Sequence, residues 1–434
     1  MIRPSPRLLG LAVGASSLTA IAVAFGPHAG GALAAWATVA ALALADLLGS
    51  AGGRRLALSA RAPPELLAGE SGDLVLTLDG WRGAVRNRPS CRLAYPAGLS
   101  GPADVRLAAP GDPPMPVRVT ARRRGQWTIP RVWLNWRSRL GLFEYGKRVA
   151  VAIEIRVSPN IRRVRSGEID VAVRSALYGM RANVLSGEGS EFHQLCDYAR
   201  GMDPRGIDWK HSARHRSLLA KEMRAERNHS ILFALDNGYL MREEIAGIPK
   251  IDHHIAAMLS LAWAGILGGD RVGLFAFDAR PRAFHPPEGG RGAFLRLRGA
   301  AAELDYLGVE TNFTIAMAYL HERLRRRSLV VVFSDFVDST TAELMLENVA
   351  MLNRQHVIVF AALRDPALRA LADGRPSSLS DVARSVSAAQ VLNERRLVFE
   401  RLTRIGVIAF EAAEEALTGR LLSTYLTIKA REMV

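Results

Sequence analysis

The sequence predicts an α/β protein with an N-terminal transmembrane helical hairpin, a β-sandwich-like module and a doubly wound open sheet. Two long apolar runs stand first, short alternating runs follow, and apolar strands then alternate with helical stretches. These patterns place the hairpin at 8–49, the β module at 56–160 and the open sheet at 229–434, with a segment of mixed composition at 161–228.

Composition indicates more than one domain and an excess of positive charge. The chain has 434 residues, of which 49% are hydrophobic, whereas a single domain usually holds roughly 100 to 200 residues. Lysine and arginine outnumber the acids by 57 to 42, so the formal charge is +15 and an anionic partner or surface is plausible. Only Cys91 and Cys196 occur, and their separation favours neither a disulfide framework nor a zinc site.

The two apolar runs, Leu8–Phe25 and Gly31–Gly49, are each close to the roughly 20 residues that cross a bilayer. A signal peptide would explain the first run but not the second. Asp46 lies near the end of the second run, where we expect it to reach the membrane interface. Arginines flank both ends of the pair, which predicts that both ends are cytoplasmic: Arg3, Arg7, Arg54 and Arg55.

The region at 56–160 alternates apolar and polar residues with a period of two. DLVLTL, at Asp73–Leu78, and QWTIPRVWLNW, at Gln126–Trp136, are typical of half-buried strands. Clusters of Gly, Pro and Asp separate such runs. We therefore expect an antiparallel β sandwich or barrel, with an immunoglobulin-like arrangement as the preferred form.

From residue 229 onward, apolar strands alternate with helices. SILFALDN, RVGLFAFD, SLVVVFSDF and HVIVFAAL are the strand-like runs, and amphipathic stretches separate them. This alternation predicts an open, mostly parallel sheet that is covered on both faces. Ligands of such sheets bind beyond the carboxyl ends of the strands, where the strand order reverses.

Three oxygen-bearing side chains are predicted to converge at that edge. Asp236 and Asp335 follow two apolar strands, and Thr311 stands at the start of a helix. Carboxylates and a hydroxyl are ligands that suit a hard divalent cation such as Mg²⁺. The alternative is that the two aspartates cap loops or helix N-termini.

The arrangement resembles the metal-ion-dependent adhesion site of von Willebrand factor A domains, whose first loop reads Asp-x-Ser-x-Ser. Here Gly238 and Leu240 replace both serines. We therefore predict a degenerate site and no cofactor, with Mg²⁺ binding as the alternative. Such a metal-free surface would contact a partner through loop side chains such as Asn237, Tyr239 and Asn312.

The stretch GEGSEFHQLCDYARGMDPRGIDWKHSAR, at 187–214, combines glycines, charged residues and aromatics in one segment. It closely resembles the signature of the bacterial family called domain of unknown function 58. The matching residues are Gly187, Gly189, Glu191, Phe192, Leu195, Tyr198, Gly201, Arg205, Ile207, Asp208, Trp209, Ser212, Ala213 and Arg214. Cys196, Arg200 and Met202 depart from the pattern.

Two roles for this signature segment stay open. It could clamp the β module to the open sheet, with Trp209 buried, or it could form part of a partner-binding face. In either case the spacing allows Arg205 to bridge Asp203 and Asp208. No nucleophile and base pair is evident, so we expect no enzymatic activity. The candidate partner-face residues are Glu191, Phe192, Tyr198, Arg205, Asp208, Trp209 and Arg214.

The family resemblance also implies a function. Its members are often encoded beside MoxR-type AAA+ ATPases and are thought to act with them in assembling or maturing other proteins. We therefore expect a membrane-anchored, non-enzymatic adaptor in the bacterial inner membrane, with its C-terminal region in the cytoplasm. The alternative is binding of nucleic acid or an anionic surface through the arginine excess, although we expect no nucleic-acid partner.

Overall fold

The computed structural model describes residues 1–24, 29–50, 56–79, 88–108, 114, 116–183, 191–199, 202–224, 229–336, 339–375, 377–431 and 433–434. Most of the predicted break between the apolar runs lies outside these residues, as do Arg54, Arg55, Gly187 and Gly189. The chain divides into two compact units, Met1–Ser158 and Pro159–Val434. Strands and helices both contribute, which confirms the mixed α/β class.

The first unit begins with one short strand and two helices and continues as a series of strands. Its elements are β1 (Ile2–Pro4), α1 (Pro6–Ala24), α2 (Ala29–Gly49), β2 (Ala57–Arg61), β3 (Glu65–Leu67), β4 (Ser71–Asp79), β5 (Ser90–Leu93), β6 (Leu99–Ser100), β7 (Asp104–Arg106), β8 (Pro116–Ala121), β9 (Gly125–Arg137) and β10 (Phe143–Ser158).

These strands form two sheets around one apolar core. One sheet has the order β1-β10-β9-β5-β7, with β3 also paired to β10, and the other has the order β2-β4-β8-β6. Along β9, Val132, Leu134 and Trp136 are buried while the residues between them are exposed, as the period of two requires. Leu74 of β4 and Val119 of β8 join the same core from the other sheet.

Helices α1 and α2 occupy the positions of the two apolar runs and contact each other. Among the residues that the structure describes, however, no helix combines the length and apolarity that a membrane crossing requires. The predicted transmembrane hairpin is therefore not supported. Three polar residues, Ser16, Ser17 and Thr19, interrupt the apolar run of α1. Their hydroxyls donate to backbone carbonyls one turn earlier.

Asp46, near the end of α2, is buried rather than directed toward an interface. Its carboxylate accepts hydrogen bonds from the backbone N–H groups of Leu140 (2.7 Å) and Leu142 (3.1 Å) and from the Ser138 hydroxyl. The Ser5 hydroxyl donates to the carbonyl of Gly141 (2.6 Å) in the same turn. Both helices are thus fixed to the loop that joins β9 and β10.

The second unit alternates helices and strands. Its elements are α3 (Arg162–Arg165), α4 (Glu168–Asn183), β11 (Glu191–Asp197), α5 (Trp209–His215), β12 (Leu219–Arg224), β13 (Ser230–Asp236), β14 (Glu244–Ile245), β15 (Ile248–Pro249), α6 (Lys250–Leu267), β16 (Arg271–Phe277), β17 (Pro281–Glu288), α7 (Gly290–Ala302), α8 (Phe313–Arg323), β18 (Leu329–Phe333), α9 (Ser339–Asn353), β19 (Val357–Leu363), α10 (Pro366–Asp373), α11 (Leu379–Arg404), β20 (Ile408–Ala412) and α12 (Glu414–Ala430).

The large sheet of this unit has the order β17-β16-β13-β18-β19-β20. All neighbours are parallel except β17, which pairs antiparallel with β16 at one edge. The chain passes from β13 to β16 on one side and later returns to β18 on the other. The strand order therefore reverses at β13, and the loops that follow β13 and β18 flank the switch point.

Helices cover both faces of this sheet, which explains its nearly continuous apolar strands. Every residue of β18 and β19 is buried. Helices α8, α9 and α11 pack into one core with β13, β18 and β19, whereas α6 contacts α7 and α12. The polar groups that break this apolar pattern lie at the carboxyl ends of the strands.

Candidate functional site

The three predicted oxygen-bearing side chains do meet at the carboxyl edge of the large sheet. Asp236 is the last residue of β13, Asp335 follows β18 by two residues, and Thr311 precedes α8. The Thr311 hydroxyl donates to Oδ1 of Asp236 over 2.7 Å. Convergence follows from the parallel pairing of β13 with β18, because both strands end at the same edge.

Asp236 is buried and accepts three hydrogen bonds. Besides Thr311, the backbone N–H of Gly238 binds Oδ1 (2.8 Å) and the Ser334 hydroxyl binds Oδ2 (2.5 Å). Burial raises the pKa of Asp236 to about 6, and these hydrogen bonds oppose the rise only in part. The carboxyl group of Asp236 therefore holds its proton to a higher pH than an exposed aspartate does.

Asp335 differs from Asp236 because two cations neutralise it. Lys250 Nζ lies 2.7 Å from its Oδ2, and the Arg395 guanidinium binds its Oδ1. Burial alone would raise the pKa of Asp335, but the charges of Arg395 and Lys250 outweigh burial and lower that pKa. The carboxylate is therefore ionised and held between two positive charges.

Each of the two cations binds a second carboxylate as well. Lys250 Nζ is 2.5 Å from Oε2 of Glu243, and Arg395 Nη2 is 2.6 Å from Oε1 of Glu411. Arg395 also donates to the carbonyl of Phe336 (2.9 Å). The charged groups thus form one chain, Glu243–Lys250–Asp335–Arg395–Glu411, which joins the start of α6, the end of β18, α11 and β20.

This donor set does not fit a divalent cation. Both oxygens of Asp335 are engaged by cationic side chains, and Thr311 is bound to Asp236. A Cβ atom at Gly238 would lie 2.0 Å from Oγ1 of Thr311, so the serine of the adhesion-site pattern would require the Thr311 side chain to move. Within the described ranges, no three His, Cys, Asp or Glu side chains group as metal ligands would.

His254 lies one turn after Lys250 in α6 and is fully buried. Its ring contacts that of Phe333 at 5.3 Å between centroids, and neither ring nitrogen has a hydrogen-bond partner within the described residues. Burial lowers the pKa of His254 to about 3, so the imidazole is neutral. A neutral ring adds no further charge beside Lys250.

The signature segment forms a small ordered structure ahead of the large sheet. Strands β11 and β12 pair antiparallel, and α5 lies between them in sequence. Asp208 caps α5 by accepting hydrogen bonds from the backbone N–H groups of Lys210 and His211, each over 3.1 Å. The Ser212 hydroxyl joins α5 to β12, because it donates to the carbonyl of Asp208 (2.7 Å) and accepts from the N–H of Leu219 (2.9 Å).

The expected bridge from Arg205 to two carboxylates is not formed among the described contacts. Asp203 accepts from the backbone N–H of Arg205 (2.9 Å), and Asp208 pairs with Lys221 (3.3 Å). Short aspartate side chains bind backbone groups two residues on, which explains the difference. The N–H of His211, together with Lys221, lowers the pKa of Asp208 to about 2.

The candidate partner-face residues fall into three groups. Arg205, Trp209 and Arg214 are exposed, and the Trp209 side chain is 69% accessible. Tyr198 and Asp208 are half-buried, and Tyr198 donates its hydroxyl to the carbonyl of Met202 (3.0 Å). Glu191 and Phe192 lie at the start of β11. The clamp interpretation requires a buried Trp209, whereas this side chain is exposed.

Of the loop side chains expected to meet a partner, Tyr239 and Asn312 are exposed and Asn237 is buried. The Oδ1 atom of Asn312 also caps α8 by accepting from the N–H of Ile315 (3.1 Å). The first turn of α8 adds an exposed Ile315 beside this cap. The exposed apolar area at this edge is therefore larger than the sequence predicts.

Sequence reasoning missed the two cations of the site. Lys250 is a basic residue at the start of a helix whose other residues are largely apolar and buried, and that contrast is a usable signal. Arg395 offers none, since it stands in a helix with four other arginines. It lies 60 residues from Asp335, so only the tertiary structure brings the two together.

The second unit is an α/β fold in which the carboxylate at the sheet edge, Asp335, is neutralised by Lys250 and Arg395. The ordered segment of β11, α5 and β12 precedes this sheet in the chain. The family model described as "Protein of unknown function DUF58" matches residues 194–402, just under half of the chain. The match begins in β11 and ends in α11, so this region is a DUF58 region and the family resemblance is confirmed.

Two curated relatives are uncharacterized proteins of Mycobacterium bovis and Mycobacterium tuberculosis. Each is 26% identical over 163 residues, which is 37% of this chain and 51% of the relative. The chain thus spans about half the length of the curated relatives it matches.

Similar solved structures include the conserved hypothetical protein BatB from Bacteroides thetaiotaomicron (10% identity, TM-score 0.29). An aerotolerance-related membrane protein from Bacteroides fragilis is another (11% identity, TM-score 0.26). The matches cover 46% and 44% of this chain and 98% of each neighbour. TM-scores below 0.5 carry no argument about function.

We predict that Lys250→Met destabilises the protein, because Asp335 would keep only one of its two cations. Removing one partner of a buried ion pair costs about 3 to 5 kcal/mol. Urea unfolding of the purified protein measures this change. Arg369→Met is the matched control, since Arg369 forms an exposed pair with Asp373 and its loss should cost less than about 1 kcal/mol. Equal effects of the two substitutions would contradict the buried network.

We predict that Asp236→Asn changes how stability depends on pH. Folded Asp236 keeps its proton up to about pH 6, whereas the unfolded chain loses it near pH 4. The stability due to this proton is present below about pH 4 and is lost as the pH rises toward 6. The asparagine variant should therefore gain about 3 kcal/mol relative to the native protein between these pH values.

Urea unfolding at a series of pH values tests this difference. His254, with its lowered pKa, changes stability in the opposite direction, but it does so in both proteins and cancels in the comparison. A difference between variant and native protein that stays constant with pH would mean that Asp236 is ionised in the fold.

Proposed function

We propose that this protein is a non-enzymatic adaptor that binds a partner protein without a bridging metal ion, and that the partner is a MoxR-type AAA+ ATPase. The observation that carries the proposal is Trp209, which is 69% exposed on a helix that Asp208 caps and Ser212 joins to β12. The DUF58 region supports the choice of partner.

Trp209 has the properties of a preorganised binding residue. Asp208 caps the helix immediately before it, and Ser212 ties the same helix to β12. An ordered aromatic side chain loses little conformational entropy on binding, and tryptophan and arginine dominate interface energies. Arg205 and Arg214 are exposed on the same segment, so an acidic and apolar partner surface would suit it.

The carboxyl edge of the large sheet supports a metal-free mode of binding. Lys250 and Arg395 already neutralise Asp335, so this carboxylate is not available to bind a metal ion shared with a partner. Tyr239 and Ile315 are exposed beside it and offer apolar contact area. The absence of catalysis belongs to the same proposal, and the pairing of Asp335 with Lys250 and Arg395 supports a structural role for these residues.

Membrane attachment is part of the proposal and rests on α1 and α2. Both helices expose large apolar side chains, among them Leu18, Leu33 and Leu48. Arg3 stands before α1 and Arg7 lies in its first turn, which favours attachment to the anionic cytoplasmic leaflet and a cytoplasmic position for the residues that follow α2.

We predict that Trp209→Ala weakens capture of a MoxR-type ATPase without unfolding the protein. An exposed side chain away from the core should change stability by less than about 0.5 kcal/mol. Loss of an interface tryptophan costs about 2 kcal/mol or more, which is roughly thirtyfold in affinity. Binding of the two purified proteins, with and without ATP, measures the effect.

The matched control for this experiment is Leu379→Ala. Leu379 is 89% exposed at the start of α11 and should leave capture unchanged. If Trp209→Ala binds the ATPase as the native protein does, or if it unfolds, the partner-face assignment is wrong.

We also predict that millimolar Mg²⁺ or Mn²⁺ produces no saturable heat in calorimetry with the folded protein. The ammonium of Lys250 lies against Asp335 and repels a divalent cation from it. A saturating isotherm that Asp335→Asn abolishes would contradict the metal-free mechanism.

A further inference from the structure

The outer face of the sheet β7-β5-β9-β10-β1 carries a groove of about 1330 Å³. Seven of its lining residues are basic and two are acidic. We call it the basic groove and define it by Arg3, Arg92, Arg106, Arg137 and Arg148 around a floor at Gly146. It belongs to the first unit, and the inference drawn from it deepens the membrane attachment proposed above.

Strand register explains how the groove forms. Asn135 of β9 lies opposite Gly146 of β10, and the glycine has no side chain to fill the space there. On one side of this floor, Arg92, Trp133 and Arg148 stand in one cross-strand row. On the other side, Arg3, Glu144 and Arg137 form a second row. Two walls rich in guanidinium groups thus face each other across a low floor.

The acids of the groove are already engaged by groove arginines. Asp104 binds Arg92 (2.8 Å), and Glu144 binds Arg137 (3.2 Å).

Three guanidinium groups of the groove have no ion-pair partner within the described part of the chain: Arg3, Arg106 and Arg148. Like charges that face one another across strands repel, so an anion in the groove would relieve this repulsion.

The position of the groove identifies the source of that anion. Arg3 belongs to β1, and α1 begins only one residue after β1 ends. Asp46 fixes the end of α2 to the turn between β9 and β10, which form the centre of the groove. The exposed apolar side chains of α1 and α2 therefore begin beside the basic groove, and Trp133, 37% exposed, adds an amphipathic ring of the kind found at lipid interfaces.

We propose that the basic groove binds the phosphate of an anionic phospholipid headgroup while α1 and α2 contact the adjoining acyl chains. Arginine donates paired hydrogen bonds to phosphate oxygens, and basic pockets beside apolar helices suit such headgroups. Contact with a lipid surface is sufficient, and no membrane crossing is required. The same groove chemistry would accept free phosphate, but free phosphate has no acyl chain to contact the helices.

Titration of the full chain in neutral detergent tests this assignment. The ligands are short-chain phosphatidylglycerol, short-chain phosphatidylcholine, inorganic phosphate and a DNA duplex, each followed by calorimetry. Native protein should bind phosphatidylglycerol in preference to the other three. Arg106→Glu with Arg148→Glu should weaken that binding about thirtyfold, since each basic side chain near an anionic surface contributes about 1 kcal/mol.

The matched control is Arg118→Glu with Arg156→Glu, which changes the net charge equally at exposed positions outside the groove. It should bind phosphatidylglycerol as the native protein does. Equal weakening by both double variants would overturn the groove assignment, as would tighter binding of phosphate or DNA than of phosphatidylglycerol. If the glutamate variant fails to fold, Arg106→Gln with Arg148→Gln supports the same comparison with a smaller loss.

Discussion

The ion pairs of Asp335 are the constraint on which the second unit depends. A buried carboxylate is costly unless cations and hydrogen bonds compensate it, and here Lys250 and Arg395 both do so. Because these cations come from the start of α6 and from α11, one carboxylate fixes two helices to the end of β18. Glu243 and Glu411 extend the same constraint to the loop before α6 and to β20.

This constraint also determines what the sheet edge can do. An edge whose central carboxylate is held between two internal cations cannot share that carboxylate with a metal or a partner. In the mode of binding that we propose, recognition uses exposed side chains such as Trp209 and Tyr239. The neutral, buried His254 adds no charge beside Lys250.

The two units use arginine in opposite ways. In the second unit, Arg395 is buried and its donors are taken up by Asp335, Glu411 and backbone carbonyls. In the first unit, the arginines of the basic groove are exposed, and Arg106 and Arg148 have no ion-pair partner in the described chain. Net charge alone does not distinguish these cases, since buried paired arginines stabilise the fold whereas exposed clusters attract anions.

The sequence by itself determined the α/β class, the family resemblance of residues 194–402, and the convergence of Asp236, Thr311 and Asp335. Strand and helix periodicity are local patterns, and alternating strands and helices place the carboxyl ends of parallel strands at one edge. It predicted a membrane-spanning hairpin that the structure does not support. The sequence did not decide whether Trp209 is buried or exposed, and in the structure this side chain is exposed. Only the tertiary structure decided which cations meet Asp335, since Lys250 and Arg395 lie 85 and 60 residues away and no local pattern encodes contacts across such separations.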